Sequence, residues 1–142
     1  MQQLKTLGDE DARAAIEAIR RGVLRRLRSA VIAVADAYGE TIALLRMNGA
    51  AFSSVDVSMN KAFTAARLRR PTRLIGRNVR DPETGFDIAY YGNPRFVGFA
   101  GGLPVIVDGV TLGAVAVSGL TQDEDEDLAR LGIVAIMAAL PG

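Results

Sequence analysis

Short, continuous apolar runs separated by turn residues are the feature that most constrains how this chain can fold. Two of them, Ala30–Asp36 and Thr41–Met47, flank a Tyr-Gly pair, a pattern typical of a buried β-hairpin. Three more runs, FVGFA, LPVIV and TLGAVAVSG, are separated by Gly101-Gly102 and by an Asp-Gly pair, which predicts a three-stranded meander. We therefore expect a five-stranded antiparallel sheet.

Three other segments carry apolar residues at the three-to-four spacing of an amphipathic helix. The first runs from Leu7 to Leu27, and the second runs from Ser53 or Ser54 to Arg69. The third begins at Thr121, which forms a predicted capping box with Glu124. Between the second helix and the third strand, residues 70–94 predict a long loop with one helical turn. The order of elements predicts a single α+β domain over residues 1–142, with helices on both faces of the sheet.

The second predicted helix is apolar on two sides. Besides its main apolar stripe, it carries Val57, Ala65 and Leu68 around Lys61. A helix of this kind needs a second cover, which we expect to be another subunit or a folded-over loop. A homo-oligomer is therefore one predicted state of the chain.

The chain contains no cysteine and no histidine. This excludes disulfides, thiol nucleophiles, thiolate or imidazole metal sites and histidine-based catalytic triads, so we expect no metal site. Any general base must be Asp, Glu, Lys, Tyr or a held water. The sequence shows no apolar signal-peptide core and no run as long as a membrane span, so we expect a cytoplasmic location.

Charge is balanced overall but unevenly placed. The 17 basic and 16 acidic residues nearly cancel, so neither nucleic acid nor a membrane surface is an expected partner. A basic cluster spans Arg20–Arg28, and an acidic one spans Asp123–Asp127. Both suit helix dipoles, because cations favour a helix C-terminus and anions an N-terminus.

The segment RMNGA places polar side chains at the end of a buried strand, where they can reach a ligand. Arg46, Asn48 and Lys61 could together hold a carboxylate or phosphate by a fork, an amide and a point charge. Arg46 and Lys61 are the candidate catalytic residues, with Lys61 or an Asp transferring a proton in an isomerase or lyase. The alternatives are an arginine paired with an acid and a lysine that is solvated or at a subunit interface.

Four further residues are candidates for ligand binding. Gly101 and Gly102 permit close backbone approach to a ligand, although a hairpin turn needs the same freedom. Tyr91 could stack on a planar ligand or close the long loop over the sheet. Ser118 precedes a helix whose acidic start should repel anions, and there Asp125 is expected to be a cap or an interface ion pair.

Several motifs together resemble one known family. RMNGA, NKAFTAA and GGLPVIVDGVTLGAVAVSGLTQDEDEDLA occur in the order found in the GlcG/HbpS-like family, which is also met as the C-terminal domain of PduO-type proteins. The resemblance runs from about Val31 to Ile133. It implies a profilin-like, three-layer α/β/α sandwich, homo-oligomeric assembly, and a link to catabolic pathways. Some members of that family bind or degrade heme, and many have no assigned activity.

Three positions depart from the family pattern. Asn48 stands in place of the usual Asp, Ala116 in place of a Gly, and Glu124 in place of a Gln. Without histidine, heme iron would need a Met, Tyr, Lys or hydroxyl ligand, so no cofactor is expected and heme stays an alternative. Three functions are left open: a protein or enzyme for a small organic acid in a catabolic pathway, a heme or tetrapyrrole binder, and a non-catalytic oligomeric accessory protein.

Overall fold

The computed structural model describes residues 1–141 and shows an α+β fold. Gly142, which ends the predicted domain, lies outside the described residues. The four α-helices are α1 (Asp9–Arg25), α2 (Ser53–Leu68), α3 (Thr72–Val79) and α4 (Gln122–Ala139), and a 3-10 turn spans Ile88–Tyr91. The four strands are β1 (Val31–Asp36), β2 (Thr41–Arg46), β3 (Gly102–Val107) and β4 (Val110–Ser118). None of the helices within residues 1–141 has both the length and the apolar character needed to cross a membrane.

The strands form one antiparallel sheet in the order β2-β1-β4-β3. Both predicted hairpins, β1–β2 and β3–β4, are confirmed. Asp108 and Gly109 join β3 to β4 with φ of 51° and 76°, and positive φ at both central residues is what a type I′ turn requires. The capping box of α4 is also confirmed, with Thr121 accepting a hydrogen bond from the Glu124 backbone N–H.

The prediction of a fifth strand at FVGFA is wrong. Residues 96–100 form no strand and lie against α2 instead. The Val97 backbone N–H donates to Thr64 Oγ1 at 3.0 Å, and the Phe96 ring lies 4.9 Å from that of Phe63 on α2. The aromatic ring of Phe96 therefore packs on a helix, and apolar content alone does not distinguish such packing from packing within a sheet.

The same segment supplies the second cover of α2. Phe63 and Thr64, which contact this segment, are fully buried within this one chain, whereas Ala65 packs with Ala114 of the sheet. Of the two predicted covers, the folded-over loop is therefore the one observed, and it is tied to α2 by the hydrogen bonds of Thr64. Assembly into a homo-oligomer stays a prediction.

Helices lie on both faces of the sheet, giving three layers. Alternation along β1 directs Ile32 and Val34 into the core shared with α1 and α4, and directs Ala33 and Ala35 toward α2. The face toward α1 and α4 is filled with large aliphatic side chains, whereas the face toward α2 is lined by alanines: Ala33, Ala35, Ala114 and Ala116. Small side chains let α2 approach the sheet closely.

Candidate functional site

Most of the predicted site residues, but not Tyr91, lie at one end of the sheet. Val31 at the start of β1 pairs with Arg46 at the end of β2 and with Ser118 at the end of β4. Two separate depressions open near this row. The Arg46 pocket is lined by Arg20, Leu24, Ser29, Leu45, Arg46, Met47 and Asn48. The Lys61 pocket is lined by Ser54, Val57, Lys61, Phe99, Ser118, Gly119, Leu120, Gln122 and Asp125.

The two linings share no residue, so the three residues predicted to hold one anion, Arg46, Asn48 and Lys61, are divided between them. Arg46 and Asn48 lie together in the first pocket, as expected for neighbours in the chain. Lys61 lies in the second pocket, together with Ser118. A ligand small enough to fit in one pocket therefore meets either the guanidinium of Arg46 or the amine of Lys61.

Lys61 is almost completely buried, with a relative exposure of 2%. Its Nζ donates to the Val117 carbonyl oxygen at 2.8 Å and to Asp125 Oδ2 at 3.1 Å. The other carboxylate oxygen of Asp125 accepts from the Leu120 N–H at 3.0 Å. Lys61 is thus not a solvated side chain. Asp125 forms an ion pair, but with Lys61 inside the chain rather than at an interface. The pair joins α2 to the end of β4 and the first turn of α4.

Burial opposes charge on both members of this pair. Burial lowers the pKa of Lys61, while the nearby negative charge of Asp125 and its hydrogen bond partly offset the effect. Burial likewise raises the pKa of Asp125 against the opposing influence of Lys61. Because both charged forms are disfavoured, a proton can move from Nζ to the carboxylate at a smaller free-energy cost than between the same groups in water.

Gly101 and Gly102 make room for Lys61. A Cβ added at Gly101 would lie 2.7 Å from Lys61 Nζ, and one added at Gly102 would lie 2.6 Å from the Lys61 carbonyl oxygen. Gly101 also has a φ of +126°, a conformation that side chains disfavour. The prediction of a hairpin turn at this pair is wrong, because Gly102 begins β3 and Gly101 precedes it. The absence of side chains at Gly101 and Gly102 instead lets the backbone lie close to Lys61.

The lining of the Arg46 pocket combines two arginines, Arg20 and Arg46, with the apolar side chains of Leu24, Leu45 and Met47. Arg46 is exposed at the end of β2, and its Cζ lies 4.5 Å from the centroid of the Phe52 ring. Within residues 1–141 it forms no ion pair, so the alternative of an arginine paired with an acid is not observed. Arg20 comes from α1. The sequence did not predict that Arg20 lines this pocket. Arg20 belongs to the basic cluster Arg20–Arg28, whose position the helix dipole alone can explain.

Tyr91 lies outside both linings. Its ring centroid is 5.6 Å from that of Phe86 and 4.9 Å from that of Phe96, which in turn packs on Phe63. These contacts join the long loop to α2. Of the two roles predicted for Tyr91, closing the loop is therefore the one that its contacts support.

Comparison with known proteins identifies the family. Residues 7–134 match the family model described as haem degrading protein HbpS-like. The chain belongs to the HbpS-like family. The resemblance found in the sequence motifs is thereby confirmed.

Three relatives show how far the likeness extends. GlcG of Escherichia coli K12 is 39% identical over 112 residues, which are 79% of this chain and 81% of GlcG. The crystal structure of ORFY from Klebsiella pneumoniae has a TM-score of 0.92 at 32% identity, covering 99% of this chain and 97% of ORFY. A double mutant of HbpS from Streptomyces reticuli has a TM-score of 0.85 at 30% identity, covering 94% and 89%. The α+β fold is common to this chain and both structures.

Proposed function

We propose that this chain binds heme or a related tetrapyrrole in the Arg46 pocket, without an axial histidine. The observation that carries the proposal is the pairing of Arg20 and Arg46 with an apolar floor formed by Leu24, Leu45 and Met47. A tetrapyrrole combines flat apolar ring faces with carboxylate side chains, and arginine is well suited to bind carboxylates in a bidentate manner. The haem-degrading description of the family supports this ligand class.

The pocket, about 230 Å³ in volume, offers partners for the carboxylates and one edge of the ring rather than a cavity that encloses the macrocycle or a ligand for the iron. Arg20 has one long contact of 3.9 Å with Glu17 on the surface of α1, which leaves its charge available. Met47 carries the one soft donor in the lining, but it is 8% exposed because it packs in the core. We therefore propose that binding depends on the carboxylates and one edge of the ring, so that a metal-free porphyrin binds about as well as heme.

Titration with hemin and with metal-free protoporphyrin IX tests this proposal. Soret absorbance reports hemin binding, and porphyrin fluorescence reports the metal-free ligand. Arg46→Ala and Arg20→Ala should each weaken both ligands roughly fivefold, since a partly exposed charge pair contributes up to about 1 kcal/mol. Arg13→Ala, on the exposed surface of α1 and outside the pocket, is the matched control. Binding of hemin alone would contradict a site that ignores iron, and binding of neither would contradict the function.

A small organic acid is the competing ligand for the same pocket. Arg46 and Asn48 both line it, so a guanidinium and a side-chain amide are available to bind one carboxylate. Lys61 is not in this lining. Competition experiments separate the two ligands, because a small acid that occupies the pocket should displace protoporphyrin. None of the three relatives described above is named as an isomerase or lyase. A catabolic role, a cytoplasmic location and homo-oligomeric assembly stay predictions.

A further inference from the structure

The Lys61 pocket has the groups needed for chemistry that tetrapyrrole binding does not use. Lys61 and Asp125 lie in its lining, next to the hydroxyl groups of Ser54 and Ser118. The apolar part of the lining is formed by Val57, Phe99 and Leu120. We propose that the Lys61 amine forms a Schiff base with a short, uncharged aldehyde that enters this pocket.

The arrangement around Nζ provides for the first proton transfer. An ammonium group cannot attack a carbonyl until it loses a proton, and Asp125 Oδ2 lies 3.1 Å from Nζ, within reach of that proton. The hydrogen bond from Nζ to the Val117 carbonyl oxygen, at 2.8 Å, holds the nitrogen in position. Desolvation of the amine, which lowers the pKa of Lys61, favours the neutral nucleophile.

The proposed reaction is balanced without any added reagent. Asp125 takes one proton from the ammonium, and the freed lone pair forms a C–N bond with the carbonyl carbon. A proton then passes from this nitrogen to the carbonyl oxygen, which gives a hemiaminal. Asp125 returns its proton to the hemiaminal hydroxyl, which leaves as water as the nitrogen lone pair forms the C=N bond. The products are a protonated imine on Lys61, one water molecule and the ionised Asp125.

The charge and size of the pocket define the class of aldehyde. Within residues 1–141, Lys61 is the one cation in the lining, and its charge is already matched by Asp125 at 3.1 Å, so the pocket has no free cation to bind an anionic substrate. Arg46, which was predicted to bind an anion, lines the other pocket. Ser54 and Ser118 can hydrogen-bond a hydroxyl group of the ligand. A short hydroxyaldehyde such as glycolaldehyde therefore fits this lining best.

The chain contains its own control for a trapping experiment. It has two lysines, Lys61 and Lys5, and Lys5 is exposed near the N-terminus. The protein would be incubated with glycolaldehyde and cyanoborohydride at neutral pH, digested and mapped by mass spectrometry. We expect the reduced adduct on Lys61 to exceed that on Lys5 at least tenfold, although Lys61 is the buried residue. Adducts on Lys5 and the N-terminus with none on Lys61 would overturn the proposal.

Two further arms test the proton acceptor and the ligand class. Asp125→Asn should slow trapping at Lys61 and leave trapping at Lys5 unchanged, because only Lys61 depends on this carboxylate. Glyoxylate, an aldehyde that carries a carboxylate, should label Lys61 at least tenfold less than glycolaldehyde does. Equal labelling by both aldehydes would overturn the uncharged class. The comparison of the two lysines uses the unmodified chain, so it stands even if a variant fails to fold.

Discussion

The two pockets at the end of the sheet treat positive charge in opposite ways. In the Lys61 pocket the cation is buried, and Asp125 matches it within the chain at 3.1 Å. In the Arg46 pocket two exposed guanidinium groups have either no acid within reach or only the 3.9 Å contact to Glu17. A matched, buried pair contributes to the fold and can exchange a proton, whereas unmatched surface cations are available to a ligand's anions. The difference predicts which pocket is sensitive to stability and which to binding.

The largest expected effect is the loss of stability when the buried pair is broken. Lys61→Met leaves Asp125 buried without its partner, which should lower the free energy of unfolding by about 3–5 kcal/mol. Arg46→Ala, at an exposed position, should change it by no more than about 0.5 kcal/mol. Urea denaturation of both variants measures this contrast. Similar small changes in the two would mean that the pair is not a structural element.

The next effect concerns the backbone that surrounds Lys61. Gly101→Ala places a Cβ 2.7 Å from both Lys61 Nζ and the Val117 carbonyl oxygen, so we expect a loss of about 1–3 kcal/mol from crowding and from the positive φ. Gly92→Ala is the matched control, since Gly92 also has positive φ, 78°, but has nothing within 4 Å of the added Cβ. Thermal denaturation compares the two. Equal losses would show that φ alone matters and that Lys61 tolerates the added carbon.

A smaller, pH-dependent effect is expected at the start of α4, beside the Lys61 pocket. Hydrogen bonds from the Thr121 hydroxyl and then its backbone N–H hold the pKa of Glu124 below its usual range. Ionised Glu124 therefore stabilises the fold above its unfolded pKa, and this contribution is lost as pH falls through the folded value. Thr121→Ala should cost about 1 kcal/mol at neutral pH and less in acid. Denaturation at both pH values checks this, and a difference independent of pH would contradict it.

The smallest expected effect tests how Arg46 is held in its pocket. Its guanidinium stacks on Phe52, which is 75% exposed, and an exposed cation–π contact contributes about 0.5–1 kcal/mol. Phe52→Leu removes the aromatic face but keeps an apolar side chain. It should weaken protoporphyrin binding about two- to fivefold, since 1.4 kcal/mol corresponds to tenfold. An unchanged dissociation constant would mean that stacking does not orient Arg46 for the ligand.

Most of the fold could be predicted from periodicity and turn chemistry. The helices α1, α2 and α4 and both hairpins follow from apolar spacing, the Asp-Gly turn and the Thr121 capping box. The FVGFA run was assigned wrongly because its packing partner is α2, a contact distant in sequence. The eight-residue helix α3 is predicted only as one turn in a loop, because Gly, Pro and Asn residues interrupt the pattern over residues 70–94. Arg73 contacts Glu126 and Asp123 of α4, and these ion pairs hold α3 in place.

The site could be predicted only in part. The strand end predicted Arg46 and the start of the last helix drew attention to Ser118, and each of these residues lines a depression. The burial of Lys61 could not be predicted from a helical wheel, because it depends on two features of the tertiary structure. The alanine-lined face of the sheet lets α2 come close, and Gly101 leaves space next to Nζ. The contribution of Arg20 was equally hidden, since it requires α1 and the end of β2 to be neighbours.

We propose that the Arg46 pocket binds a tetrapyrrole independently of the Lys61 pocket. Fluorescence titration with metal-free protoporphyrin IX, on the unmodified chain, Arg46→Ala and Ser118→Ala, tests it most directly. Ser118 lines only the Lys61 pocket. We expect roughly fivefold weaker binding for Arg46→Ala, because a partly exposed charge pair is lost, and unchanged binding for Ser118→Ala. Weaker binding for Ser118→Ala with no change for Arg46→Ala, or no binding by the unmodified chain, would contradict it.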